Sequence, residues 1–399
     1  MLNIDEQKPY RISFLHLGFR PFFMMAGLFS CISVIFWAWL YHQGTDLPAI
    51  KLSPAQWHSH EMVFGFGFAV IAGFLLTAVK NWTGVQTTNG WRLLILAAAW
   101  AAARIMPALP VSNALILMAF LDIGFDLLLV AAVFRPIARV RQWKQLGIWA
   151  CLIVLTGANF WFYLATITNH GTSRDAVTLG LYTIILLITL MGRRVIPFFI
   201  EKGLYNPASP APVLVKNWRW VDITNLILMP LHGILMVMGD YVEISMTTAG
   251  LLAVTHGTRL FGWYAHGIHK TPMLWVLYVG YSWIPAGFSL HALSVWLDPN
   301  LGLHALSYGA IGMITLGMMA RVALGHTGRD IYESRPLLTL AFSLLLIGAI
   351  TRSLLPAILS GQYLLLIGIS QALWITAFAI FSAMYMPILI KPRVDGRHG

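Results

Sequence analysis

The chain alternates long apolar runs with short polar turns. Twelve runs stand out, at 22–41, 57–79, 91–105, 111–134, 146–167, 176–200, 221–238, 242–265, 272–297, 303–324, 337–355 and 363–390. About 20 helical residues cross the ~30 Å hydrocarbon core of a bilayer, so the pattern predicts an all-α, polytopic membrane protein of about 12 transmembrane helices. The longest polar connection, 201–219, carries Pro207, Pro210 and Pro212. It divides a single membrane domain, 22–390, into six spans (22–200) and six more (220–390). Segments 1–21 and 391–399 flank that domain.

Composition agrees. Of 399 residues, 58% are hydrophobic and 10% charged, against about 25% charged in soluble domains. The net charge of +11 has a membrane explanation that needs no nucleic acid. All but four of the 26 Lys and Arg residues (the exceptions are Lys51, Arg104, Arg174 and Arg352) fall at alternate ends of the spans. That asymmetry predicts cytoplasmic N- and C-termini in a multi-pass protein of the bacterial inner membrane. Residues 1–20 hold Asp5, Glu6, Lys8, Arg11 and Arg20 and lack the apolar core of a cleavable signal, so the expectation is that they are retained. Cys31 and Cys151 sit in different apolar runs and read as packing residues.

Orientation turns the histidines into depths. Trp57-His58-Ser59-His60-Glu61 opens the second span at the outer face, with His291 and His304 in the outer parts of spans nine and ten and His232 past the middle of span seven. His256 is near the middle of span eight, and His326 is at the cytoplasmic end of span ten. Imidazole is a common ligand of haem iron and copper. His58, His60, His304, His326, His256 and His291 are therefore candidate metal ligands, with hydrogen bonding as the alternative role for each. Residues two apart on a helix do not face each other, so His58 and His60 are not expected to chelate one ion. Glu61 is followed at steps of four by Gly65, Ala69 and Gly73, a seam that turns Glu61 toward protein. His266 and His269 read as interfacial anchors.

Asp122 and Asp126 lie four apart inside the fourth span. Intramembrane carboxylates mark either a proton path or an ion pair. Arg259 and Arg321 are candidate partners for them, or holders of haem propionates through the guanidinium fork. Met313, Met318 and Met319 suit copper(I) or plain gap-filling. The chain has no C-x-x-C-H attachment site, so any haem is non-covalent.

Several strings, in order along the whole chain, resemble the NnrS family of bacterial membrane proteins. They are Gly18-Phe19-Arg20-Pro21-Phe22-Phe23, then Trp57 to Phe66 and Ala69 to Ala78, ending in Asn81-Trp82-Thr83-Gly84. Later come His304-Ala305-Leu306, Gly309 to Gly312, Met318 to Arg321 and Leu324 to Arg329. The resemblance implies haem b and copper, and a part in nitric oxide metabolism, denitrification or defence against nitrosative stress. Nitric oxide or a related small molecule, an electron donor and membrane lipid would be the partners. By motif it points to His58, His60, His304, Arg321 and His326, and more weakly to His256 and Arg259; Glu61, Arg259 and Arg321 would sit behind the ligands or on the propionates. The sequence departs from the pattern at Lys80, where proline is expected, and at Tyr278, where some members have histidine. Three functions compete: a haem/copper protein of the nitric oxide response, a nitric oxide reductase-type oxidoreductase, and a 12-helix transporter without redox metal. The adjacent His-His pair of haem–copper oxidases is missing from every span.

Overall fold

The computed structural model describes residues 12–44, 47, 50, 52–205, 213–333 and 335–397. Asp5, Glu6, Lys8, Arg11, Lys51, Pro207, Pro210 and Pro212 lie outside them. Twelve long helical runs account for most of the described residues. We number them α1 (Phe19–Gln43), α2 (Pro54–Thr83), α3 (Gly90–Ala108), α4 (Ala114–Arg139), α5 (Trp143–Thr168), α6 (Ser173–Gly203), α7 (Arg219–Met238), α8 (Val242–Trp263), α9 (Pro272–Ala292), α10 (Pro299–His326), α11 (Pro336–Ile358) and α12 (Ser360–Ile390). Each corresponds to one apolar run of the sequence, and the protein is a polytopic all-α membrane protein.

Eleven of the twelve are long and apolar enough to cross a bilayer; α8 falls short. Its 22 residues span about 33 Å at ~1.5 Å per residue, so length is not the reason. Polarity is. Ser245, Thr248, Thr255, His256, Arg259 and Trp263 are buried, while Leu251, Val254 and Phe261 are exposed. The buried set recurs at helical steps of three and four, so the polar stripe faces protein and the apolar stripe faces outward. A helix that keeps its polar groups inside loses average hydropathy without losing a lipid-facing surface.

The helix ends follow from local chemistry. Ser53 caps α2, accepting from Gln56 N while Gln56 Oε1 accepts from Ser53 N at 2.9 Å, with Pro54 at the first helical position. This reciprocal box satisfies otherwise orphaned donors. Gly44 and Gly84 end α1 and α2 in the left-handed region, with φ of 63° and 68°, where glycine carries no Cβ penalty.

Both α2 and α10 are interrupted by π-helix, at Glu61–Gly67 and Ala305–Gly312. The wider turn directly follows His60 in one and His304 in the other. Such insertions are uncommon and concentrate at functional sites. Within the π segment of α2, Gly65 O accepts from Phe68 N and also from Trp100 Nε1 at 3.0 Å.

Two compact units emerge. The first comprises described residues within 1–180, 319–330 and 381–397; the second comprises those within 181–318 and 331–380. In the first, α1 and α4 pack on α2, and α3 and α5 pack on α4. The small-residue seam of α2 admits aromatic rings: a Cβ on Gly73 would meet Phe23 at 2.7 Å, and one on Gly65 would meet Phe29 at 2.9 Å. In the second unit, α8 lies between α7 and α9, and α9 and α11 pack on the π segment of α10. A Cβ on Gly309 would overlap the Trp283 ring.

The Gly18–Phe23 string has a structural account in the first unit. Gly18 lets the chain pass Leu76, and Phe19 N donates to Thr77 Oγ1 at 3.2 Å. Arg20, fully buried, donates to Leu389 O at 2.8 Å and Lys391 O at 2.7 Å. A guanidinium at the end of α12 answers both its free carbonyls and the negative end of its dipole.

Candidate functional site

In the first unit, five ionisable side chains and two neutral polar ones meet inside α2–α5. His60 and Glu61 come from α2, Arg104 from α3, Asp122 and Asp126 from α4, Asn159 and Tyr163 from α5. All are buried, with Arg104 the most open at 4% of its side chain. Asp122 Oδ2 accepts from Arg104 Nη2 at 2.6 Å, Tyr163 Oη at 3.0 Å and Asn159 Nδ2 at 3.2 Å. Asn159 Nδ2 also donates to Asp126 Oδ2 at 2.8 Å. Arg104 Nε lies 2.8 Å from Glu61 Oε2, close enough for an ion pair although the N–H is not aligned as a hydrogen bond.

These contacts constrain the protons of His60. Because Asn159 turns its amino group to two carboxyls, its Oδ1 faces His60 Nε2 at 3.0 Å and accepts. His60 Nδ1 lies 3.0 Å from Glu61 Oε1, so one proton is shared between them and the pair is neutral as a whole whichever atom carries it. Both of its nitrogens are therefore engaged, and its ring is walled by Phe162 at 4.4 Å and Phe64 at 5.3 Å.

His58 faces elsewhere, stacked on Trp37 at 4.4 Å and 9°, as the two-residue spacing requires. His326 lies at the far end of α10, with Nε2 3.4 Å from Asn81 Nδ2 and its ring 5.7 Å from Phe19. Arg321 is buried in the same unit. The partner of Asp122 is thus Arg104 and neither Arg259 nor Arg321. Arg104 had counted as one of four cations at the sparse ends of the spans; its place in the last turns of α3 lets it fold back into the helix interior.

In the second unit, three buried histidines form one run of ring contacts: His232 of α7 and His256 of α8 against Phe288, and His291 of α9 against His232. The His232 and His291 rings are 5.3 Å apart at 80°. Phe288 is 5.3 Å from His232 and lies on the other side against His256, stacked at 5.9 Å and 17°. Thr248 donates its hydroxyl proton to Ser245 O at 2.9 Å, so it accepts from His232 Nδ1 at 2.9 Å. That fixes the His232 tautomer, with a bare lone pair at Nε2. The Nε2 atoms of His232, His256 and His291 are all buried without a hydrogen-bond partner among the described residues.

His256 is held from behind. Its Nδ1 is 2.7 Å from Tyr281 Oη, which accepts from Arg259 Nη1 at 2.9 Å. Arg259 Nη2 donates to Asp222 Oδ1 at 2.6 Å, and Arg193 Nη1 donates to Asp222 Oδ2 at 3.0 Å. Tyr278, at the position where some relatives carry histidine, donates to Leu260 O at 3.1 Å. His304 has Nδ1 2.7 Å from Asn300 O and accepts at Nε2 from Arg352 at 2.9 Å. The structure thus brings His256 and His291 together with His232, while His304 has other partners within the same unit. Among the described residues, no three His, Cys, Asp or Glu side chains already converge as a metal-holding group. His232 and His291 bring two open nitrogens together on rings 5.3 Å apart.

Sequence reasoning left His232 out of the six candidate ligands, although it had placed it toward the outside with His291. It gave no role to Arg104, Asn159, Tyr163, Thr248 or Tyr281. Asn159 and Tyr163, four apart on α5, mark one helical face, which was the available signal.

No curated protein matches the chain. A family model described as NnrS protein matches residues 13–393.

Proposed function

The chain belongs to the NnrS family, and on that premise we propose that it is a haem- and copper-binding protein of the bacterial cytoplasmic membrane, with both termini inside, acting in nitric oxide metabolism or nitrosative stress defence. The observation that carries this reading is the set of open imidazole nitrogens on α7, α8 and α9. A buried lone pair left without a partner costs about 1–3 kcal/mol, and three along one run of ring contacts form a donor set that suits copper or haem iron. His232 and His291 would hold a metal together, and His256 would hold one on the other side of Phe288. A bound metal would supply nitric oxide coordination and one-electron chemistry, with an electron donor as partner.

The protein's own contribution is orientation. Thr248 keeps the His232 proton on Nδ1. Tyr281 and Arg259, braced by Asp222, fix the His256 ring. Partners of this kind behind a metal-ligating histidine set its tautomer and basicity. Phe288 and Tyr182 add apolar walls around His232.

Metal analysis and a pyridine haemochrome spectrum on purified full-length protein test the assignment. His232→Ala, His291→Ala and His256→Ala should each lower copper or haem content by about tenfold or more. His58→Ala should leave both unchanged. Wild-type protein without either metal, or full metal content in all three variants, overturns the assignment. Anaerobic addition of nitric oxide to the loaded protein should shift the haem spectrum.

A further inference from the structure

We propose that the polar cluster of α2–α5 is a proton-exchange site, with Asp126 as the group that takes up and releases the proton and water as its carrier. This stands on the first unit alone and holds whether or not the α7–α9 histidines carry metal.

Charge counting is the first argument. The His60–Glu61 pair is neutral whichever atom holds the shared proton, Arg104 supplies one positive charge, and Asp122 and Asp126 supply two negative charges when both are ionised. Tyr163 is neutral and donates to Asp122. From α1, Phe29 closes against Gly65 and brings no charge. A net charge in a dry interior is costly, and one proton on the carboxyls removes it. Glu61 and Asp122 each have the Arg104 cation beside them, and Glu61 also shares the His60 proton at 3.0 Å. The partner recorded for Asp126 is the neutral amide of Asn159. The proton therefore belongs on Asp126.

Unused hydrogen-bonding capacity is the second argument, independent of the first. Asp122 Oδ1, Asp126 Oδ1 and Arg104 Nη1 are buried without a hydrogen-bond partner among the described residues. Arg104 Nη1 shares the guanidinium plane whose Nε and Nη2 already face Glu61 and Asp122. Each of these open atoms is a place where a buried water can bond, since such waters average about three hydrogen bonds to otherwise unsatisfied groups.

Depth is the third. Glu61 lies seven residues from the start of α2 and Asp122 eight from the start of α4, while Tyr163 lies five from the end of α5. At ~1.5 Å per residue these positions are about 8–12 Å in from the helix ends. Asp126 is one turn deeper. The O–H bond of Asp126 breaks as an O–H bond to water forms, giving carboxylate and hydronium, and the reverse step reloads it.

Infrared difference spectroscopy of full-length protein in lipid vesicles, across a step from alkaline to acidic buffer, tests this. Wild type should show one carboxylic-acid carbonyl band that shifts in heavy water. The band should vanish in Asp126→Asn and move in Asp126→Glu. No band in wild type, a band unmoved by heavy water, or one unaltered in Asp126→Asn overturns the proposal. Should Asp126→Asn fail to fold, Asp126→Glu decides alone: an unmoved band overturns it.

Discussion

The two units bury polar groups by opposite rules. In α2–α5 the groups are charged, and the polar atoms mostly answer one another: Arg104 faces Glu61 and Asp122, and Asn159 links His60 to both aspartates. In α7–α9 the imidazoles are tied at Nδ1, in His232 and His256, and left open at Nε2. A set of opposite charges facing one another holds helices together even with Asp122 Oδ1, Asp126 Oδ1 and Arg104 Nη1 left open. A set with one open atom on every member is costly to the fold and useful only to something that binds. The first unit's polar residues are thus bound into its stability, and the second unit's are held ready by neighbours.

Arg104→Ala is the strongest way to break that contrast. It leaves Glu61 and Asp122 facing each other's charge in a dry interior, and removing one partner of a buried pair costs about 3–5 kcal/mol. Thermal unfolding of the purified protein should show a large drop in midpoint, or no folded protein at all. His232→Phe or His291→Phe should do the reverse. Each removes an open nitrogen and fills similar volume, so metal-free protein should change by less than about 1.5 kcal/mol, while metal content collapses. Equal destabilisation by Arg104→Ala and His232→Phe would sink the contrast.

Much of the fold was legible because one period and one length govern a membrane helix. Twelve apolar runs became twelve helices, and even α8, the least apolar, showed its run. The seam Glu61, Gly65, Gly73 was legible because helical spacing alone places those residues on one side. The sites were less so. Arg104 and Asp122 are adjacent only because α3 turns back beside α4, and nothing in a linear tally separates a loop cation from a buried one. His232 reaches His291 across two helices, a pairing that depth could suggest and only packing could make. The π segments that follow His60 and His304 have no sequence signal of their own, yet they set which way the neighbouring side chains point.

A milder change probes the held-ready arrangement itself. Thr248→Val keeps the shape beside His232 and deletes the acceptor for Nδ1–H. Losing such a hydrogen bond costs about 1 kcal/mol, well below Arg104→Ala. Metal affinity should fall about 10–100-fold, measured by competition with a chelator. Thr248→Ser, which restores the hydroxyl, should recover most of it. Loss of affinity in both variants alike would mean that packing, and not the hydrogen bond, sets the tautomer.

The smallest effect belongs to the tail beyond α12, where a charge pair is solvent-exposed and neither rule applies. Arg393 donates to both oxygens of Asp395, Nε to Oδ1 at 2.8 Å and Nη2 to Oδ2 at 2.6 Å, and Val394 N bonds Thr327 O at 3.2 Å. The guanidinium holds the Asp395 carboxyl well below the usual carboxylate range. A group depressed in the folded state stabilises it above the unfolded carboxylate pKa of about 3.9, and that contribution fades as pH falls toward the lower folded value. Asp395→Asn should therefore lower the unfolding midpoint slightly at neutral pH, and the gap to wild type should close as the buffer is acidified. Full screening in high salt should close it too, because an exposed pair is weak to begin with. A gap that survives both acid and salt would place Asp395 among the packed polar groups, on the same footing as Asp122.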